Sequence, residues 1–273
     1  MPRCRCSFVI PAYNEECRLP GTLAAIAELA ASRRMRCEII IADDGSTDST
    51  IEVARRFHAR YCRVRILHLA HHGKGFAIRH GVYIARGETI VLCDADLHDS
   101  VNEVLYLEAA LRRGADIAIG SRWSNRFDNL GDRPLYRRVF SRLFNLLTAS
   151  ILRLPFRDTQ CGLKALSRSA AAQIFPLLRL NGWGYDTELI HVALSHNLHI
   201  EEVDLRLVHD YRNSHFRPFA DGWVTFLELF KIRWNDFQGI YEPLRSEAAE
   251  AAVALETVAA PAVTTSNAQK NVA

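Results

Sequence analysis

An α/β fold, built on a mostly parallel sheet flanked by helices, is what this sequence predicts, and three observations predict it. Short apolar runs alternate with helical periodicity through residues 7–120, the pattern of strands joined by crossover helices. The chain is 273 residues long, enough for one large domain of this kind. The residues best suited to chemistry, Asn14-Glu15, Asp43-Asp44, Asp94-Ala95-Asp96 and Ser121-Arg122, all fall where strands end, and open α/β sheets hold their ligands beyond the carboxyl ends of the strands.

Residues 7–11 read as the first strand and 19–32 as an Ala/Leu-rich helix. Residues 38–42 form a second strand; after it, Ser46 or Asp48 caps a helix running to about residue 60. A strand over 64–69, a helix over 75–85, a strand over 89–93, a helix over 102–113 and a strand over 116–120 continue the alternation. Beyond Arg122 the pattern changes to long helices with aromatic residues. A polar run covers 157–162, and a Gly/Trp loop at 181–185 leads to a helix carrying Asp186 and Glu188. Residues 221–237 form an aromatic-rich, partly basic helix. From residue 246 the chain is Ala/Val/Thr/Glu-rich and lacks aromatics, so a domain over 1–245 and a disordered tail over 246–273 are expected.

The strand at 89–93 ends in Asp94 and Asp96, which share one side because strand side chains alternate. Two carboxylates there repel each other unless a cation lies between them. Mg²⁺ or Mn²⁺ suits such a pair, with phosphate oxygens completing its shell. An acidic turn that merely stops the strand is the alternative.

A net charge of +3 does not by itself call for nucleic acid, and none is expected as a partner. The clustering of Arg122, Arg126, Arg133, Arg137, Arg138 and Arg142 is more informative, since guanidinium groups bind phosphate in a bidentate fashion; a solvated helix face is the alternative. The seven cysteines are scattered without zinc-site spacing, which favours a reducing compartment, with Cys37 and Cys93 as buried thiols. His71-His72 is no metal pair, because adjacent side chains diverge. Residues 1–6 run directly into the first strand, so no signal peptide is expected, and no stretch reaches the ~20 apolar residues of a membrane span.

The segments Pro11-Ala12-Tyr13-Asn14-Glu15-Glu16, Asp43-Asp44-Gly45-Ser46, Gly73-Lys74-Gly75, Asp94-Ala95-Asp96 and Gly120-Ser121-Arg122 occur in one order over residues 7–234. In this the chain resembles the family 2 glycosyltransferases of the GT-A fold. Asp158-Thr159-Gln160-Cys161-Gly162-Leu163-Lys164 and Tyr185-Asp186-Thr187-Glu188-Leu189 are similar to signatures of its polyprenyl-phosphate branch, to which the dolichyl-phosphate glucosyltransferases belong.

The resemblance implies a role for each segment. Pro11 and Tyr13 wall the nucleotide base, Glu15 accepts from a ribose hydroxyl, and Asp43 or Asp44 accepts from the base or ribose. Gly73, Lys74 and Gly75 face the diphosphate, with helix N-terminal N–H groups joining the Lys74 cation. Asp94 and Ala95 contact the donor, and Asp94 and Asp96 hold the metal. Arg122, Arg137, Gln160 and Lys164 receive the acceptor phosphate. Asp158 sits at the reacting centre, either as a base or as the group that orients an Arg or Lys. Asp186 and Glu188 bond sugar hydroxyls, orient arginines or cap their helix, and Trp183 stacks on sugar or acceptor.

Leu97-His98-Asp99-Ser100 departs from the family's usual continuation, leaving His98 or Asp99 as substitutes for a third metal ligand. The implied reaction is an inverting transfer of glucose from UDP-glucose to a polyprenyl or dolichyl monophosphate at the cytoplasmic membrane face. Mannosyl transfer from GDP-mannose and a non-catalytic nucleotide-sugar-binding module are the rivals. Peripheral membrane contact would fall to the amphipathic stretches 143–154 and 223–234, which packing against the core would explain equally.

Overall fold

The computed structural model describes residues 5–122, 145–206 and 220–242, the side chains of residues 220 and 221 excepted. Arg126, Arg133, Arg137, Arg138 and Arg142 and the tail over 246–273 lie outside them. The chain divides into units Met1–Ile240 and Tyr241–Ala273, and every element below belongs to the first.

In chain order these are β1 (Cys6–Ala12), α1 (Leu19–Ser32), β2 (Cys37–Asp43), α2 (Thr50–Arg56), β3 (Cys62–His68), α3 (Lys74–Ile84), β4 (Thr89–Cys93), a 3₁₀ turn (His98–Glu103), α4 (Val104–Arg112) and β5 (Ile117–Ser121). Helical residues 145–152 (α5) follow. Then come β6 (Leu163–Ser167), α6 (Arg168–Ile174), α7 (Tyr185–Ser195), β7 (Ile200–Asp204) and α8 (Ala220–Phe237). The seven strands form one sheet in the order β3-β2-β1-β4-β6-β5-β7. All neighbours are parallel except β6, which runs antiparallel to both β4 and β5.

The central strands are apolar on both faces because helices cover both. Phe8, Ile10, Ile39 and Ile41 pack with Leu19, Leu23 and Ile26 of α1 and Val104 and Leu107 of α4. On the other face α3 crosses β1 closely: a Cβ on Gly81 would overlap Val9. Cys37 and Cys93 are buried thiols, as their strand positions predict.

Strands β1 to β5 and helices α1 and α3 agree with the sequence expectation to within two residues at either end. The helix expected to run to about residue 60 stops at Arg56, and Asp48 accepts from the backbone N–H of Thr50 at its start (3.0 Å). Strands β6 and β7 were not expected. Each is five residues long, and β6 emerges directly from the polar run that precedes it. Its insertion between β4 and β5 carries the Asp158–Lys164 segment to the carboxyl end of β4.

Candidate active site

A cavity of about 320 Å³ opens at the carboxyl ends of β1, β2 and β4, within the size range of ligand pockets. Pro11, Tyr13, Glu15, Asp44, Gly73, Lys74, Asp94, Ala95 and Asp96 all line it, so residues spread over more than eighty positions of sequence meet in one place. Arg18, His71, Gly182 and Trp183 complete the wall.

Tyr13 stacks on His71 with ring centroids 4.3 Å apart. His71 is fixed in turn by Asp44, Nδ1 to Oδ2 at 2.8 Å. The two rings form a flat aromatic wall suited to a base. Asp44 also accepts from the backbone N–H groups of His72 and Gly73, both at 2.9 Å, so it organises the loop entering α3. Asp43 does not line the cavity. It is fully buried, facing His68 Nδ1 at 2.8 Å and the Ser46 N–H at 3.3 Å, because it continues β2 into the turn while Asp44 points the other way.

Glu15 forms a bidentate pair with Arg18, with Nε to Oε2 at 2.7 Å. Arg18 also lies 3.7 Å from Asp96. Its pKa is raised: burial opposes the charge, and Glu15 and then Asp96 outweigh it. Arg18 and His71 carried no family motif in the sequence. A cation three residues on from Glu15, in the turn that leads into α1, was the signal available for Arg18.

Lys74 is the cation at the centre. Its Nζ lies 2.7 Å from Asp94 Oδ1 and 3.8 Å from Asp186 Oδ2, with the Trp183 ring centroid at 5.3 Å. Burial disfavours its charge, but Asp94 and Asp186 raise its pKa and hold it protonated. Asp94 is shifted upwards by burial and by the neighbouring Asp96 and Asp186, against the pull of Lys74. Four carboxylates, Glu15, Asp94, Asp96 and Asp186, share three cations, Arg18, Lys74 and Lys164, which leaves negative charge uncompensated, and Asp94 and Asp96 offer hard oxygen donors on the cavity wall. That donor set fits a divalent cation such as Mg²⁺ or Mn²⁺. Among the described residues no group of three or more His, Cys, Asp or Glu side chains could hold a metal. His98 and Asp99 do not line the cavity; His98 lies against Gly21 of α1 and pairs with Asp99 at 3.0 Å.

The glycines around Lys74 have a different task from the expected one. Gly73 has φ 109°, which favours glycine, and its N–H goes to Asp44. The N–H groups of Gly75 and Phe76 donate to Asn181 O at 2.7 and 3.2 Å. A Cβ on Gly75 would come within 2.6 Å of Tyr185 Cβ. The start of α3 is therefore packed against the 181–185 loop, and Lys74, rather than the Gly75 and Phe76 amides, is what this turn presents to the cavity.

Asp158 is fully buried and gripped by Arg122, with Nε to Oδ2 at 2.6 Å, Nη2 to Oδ1 at 2.8 Å and the Arg122 backbone N–H to Oδ2 at 3.1 Å. Burial pushes its pKa up, but Arg122 wins and holds it below the ordinary carboxylate value. A carboxylate so held is a poor base; of the two roles open to Asp158, the geometry favours orienting Arg122. Lys164 has no solvent exposure, and its Nζ donates to Asp186 and to the Cys161 carbonyl. It thus supports Asp186 from beneath rather than reaching an acceptor. Gln160 donates to Thr187 Oγ1 at 2.7 Å, tying the 157–162 segment to α7. Glu188 is fully buried and accepts from the backbone N–H groups of Arg179 and Leu180, both at 2.9 Å, the structural alternative to sugar binding.

The sequence model of glycosyl transferase family 2 matches residues 7–175. Dolichyl-phosphate beta-glucosyltransferase of Mus musculus is 36% identical over 254 residues, covering 88% of this chain and 78% of the mouse protein. The Drosophila melanogaster protein of the same name is 35% identical, covering 85% and 75%. That of Saccharomyces cerevisiae is 31% identical, covering 86% and 76%. A crystal structure of glucosyl-3-phosphoglycerate synthase from Mycobacterium tuberculosis, in complex with Mn²⁺, UDP and glucosyl-3-phosphoglycerate, superposes with a TM-score of 0.62 at 21% identity, over 84% of this chain and 78% of that one. It shares the GT-A fold. With the family model spanning more than half its length, and the motif residues converging on one cavity, this chain belongs to glycosyl transferase family 2.

Proposed function

We propose that this protein is an inverting glucosyltransferase that moves glucose from UDP-glucose to a polyprenyl monophosphate of the dolichyl type, working peripherally at the cytoplasmic membrane face. The Tyr13–His71 wall would receive the uracil, and Lys74 would face the diphosphate from the floor of the cavity. Asp94 and Asp96 would hold a divalent cation, which when bound neutralises charge on the departing UDP. Lys74, preorganised between Asp94 and Asp186, adds a fixed positive charge to the same leaving group.

The observation that carries the phosphate acceptor is the state of Asp158. A sugar hydroxyl must lose a proton as it attacks, and it calls for a base. A phosphomonoester has a second pKa of about 6 and is already a dianion at neutral pH. Asp158 and Arg122 do not line the cavity, and the carboxylate expected as a base is locked to Arg122; a base for a hydroxyl acceptor would not come from Asp158, which supports an acceptor that needs none. The relatives named dolichyl-phosphate beta-glucosyltransferase support the same choice, since their similarity runs through the acceptor-side half of the chain. Labelled UDP-glucose and GDP-mannose, each offered with dolichyl phosphate and Mg²⁺ or Mn²⁺, test the donor. Label should enter the organic phase from UDP-glucose; label from GDP-mannose alone would replace glucose with mannose.

A further inference from the structure

Helix α8 carries the largest outward-facing apolar surface among the described residues. Trp223, Leu227, Phe230, Trp234 and Phe237 are each at least half exposed, Phe237 at 84%. At 3.6 residues per turn these five side chains fall within about 80° of arc. They form a continuous stripe about 21 Å long at 1.5 Å per residue. Lys231 and Arg233, both exposed, lie about 80° to either side of the stripe, whereas Glu228 and Asp236 lie about 140° from it. The acids face the protein. Glu228 accepts from the Gly184 N–H at 2.8 Å, and Asp236 faces His191 Nε2 at 3.3 Å as well as Arg233 at 3.4 Å. Buried Leu229 and Ile232 seat the opposite face on the domain.

An aromatic stripe with tryptophans at two levels and a cation on each flank is the arrangement of a helix lying in a lipid interface. We propose that α8 docks the protein on the bilayer that carries the acceptor, with the stripe among the acyl-chain ends and Lys231 and Arg233 among anionic headgroups. This rests on the reading of the acceptor as a lipid phosphate. Among the described residues of the second amphipathic stretch, 145–154, Leu146 alone is an exposed large apolar side chain, and Thr148 and Leu152 are buried.

The docking helix also touches the site. Gly182 and Gly184 press on Glu228, and a Cβ at either would come within 2.8 or 2.6 Å of its carboxylate oxygens. Trp183, between these glycines, lines the cavity above Lys74. Membrane contact at α8 therefore fixes the loop beside which a lipid phosphate must enter.

The test compares the wild type with a Leu227→Glu/Phe230→Ser/Phe237→Ser variant, its fold checked by circular dichroism and by UDP binding. Both are sedimented with phosphatidylcholine vesicles with and without phosphatidylglycerol, and both are assayed on a water-soluble short-chain polyprenyl phosphate and on a long-chain one in vesicles. The wild type should sediment, about tenfold more with the anionic lipid, and its tryptophan emission should shift to the blue. The variant should lose sedimentation and at least about tenfold of long-chain activity, keeping short-chain activity within about twofold. Equal sedimentation of the two proteins, or none by the wild type, would overturn the proposal. So would a wild-type dimer that the variant abolishes, which would give the stripe to a second copy. Vesicle binding that depends on the stripe, without transfer to either polyprenyl phosphate, would leave the docking helix standing and overturn the catalytic reading instead.

Discussion

Gly162 has no room for a side chain because Asp94 occupies the space: a Cβ there would overlap the Asp94 carboxylate. The residue before β6 thus sets the position of an acid at the end of β4, and Asp94 in turn holds Lys74 at 2.7 Å. Gly162→Ala should leave the sheet intact, displace Asp94 and lower kcat/KM about 10²-fold, the usual cost of shifting a catalytic group by an ångström. Steady-state kinetics beside a thermal melt separate the two effects. Unchanged kinetics would mean that Asp94 does not need this position.

Lys74→Met keeps an unbranched side chain, one atom shorter, and removes its charge. Asp94, Asp96 and Asp186 then lose their shared cation, and kcat should fall roughly 10²- to 10³-fold, as when a preorganised group that stabilises a leaving oxyanion is removed. Single-turnover measurement with saturating donor checks this.

Asp96→Ala should abolish most of the gain in UDP affinity that Mn²⁺ provides, while binding in EDTA stays close to wild type. Titration calorimetry with and without the metal reads this directly. An equal Mn²⁺ gain in both proteins would remove Asp96 from the metal site.

The Asp158–Arg122 pair makes a prediction about stability. Because Arg122 holds the Asp158 pKa below its ordinary value of 3.8, the pair stabilises the fold above that pH, and the contribution is lost as pH falls through the lowered value. Asp158→Asn leaves Arg122 without its charge partner in a buried setting, a loss of about 3–5 kcal/mol at neutral pH. Denaturant unfolding between pH 3 and 7 should therefore show a shallower acid dependence in the variant. In activity, the rise near pH ~6 belongs to the phosphate acceptor and should survive in Asp158→Asn at a lower rate.

Much of the cavity wall was legible in the sequence because it is local in sequence and repeated in kind: each strand end delivers its own polar residues to the same edge. Glu15, Asp44, Asp94 and Asp96 needed only that rule, whereas Pro11, Tyr13 and Lys74 were legible through the resemblance to the family 2 glycosyltransferases. What the sequence hid was which partner each charge would find. Asp43 and Asp44 are adjacent and chemically identical, yet the strand's alternation turns one away from the cavity. Lys164 reads as a candidate phosphate ligand until β6 is seen to bury it beside Asp186. Gly75 reads as part of a phosphate loop until Asn181, more than a hundred residues later, takes its N–H. These are long-range contacts, set by the antiparallel insertion of β6 and by the 181–185 loop, and no local pattern encodes them.

The most direct measurement is transfer from UDP-glucose with two acceptors in parallel, a polyprenyl monophosphate and a soluble sugar alcohol, each followed from pH 5 to 9. If the lipid phosphate is the nucleophile, glucose passes to it alone, and the rate rises through pH ~6 to a plateau as the acceptor loses its second proton. Robust transfer to the soluble hydroxyl, with none to polyprenyl phosphate, would contradict that assignment.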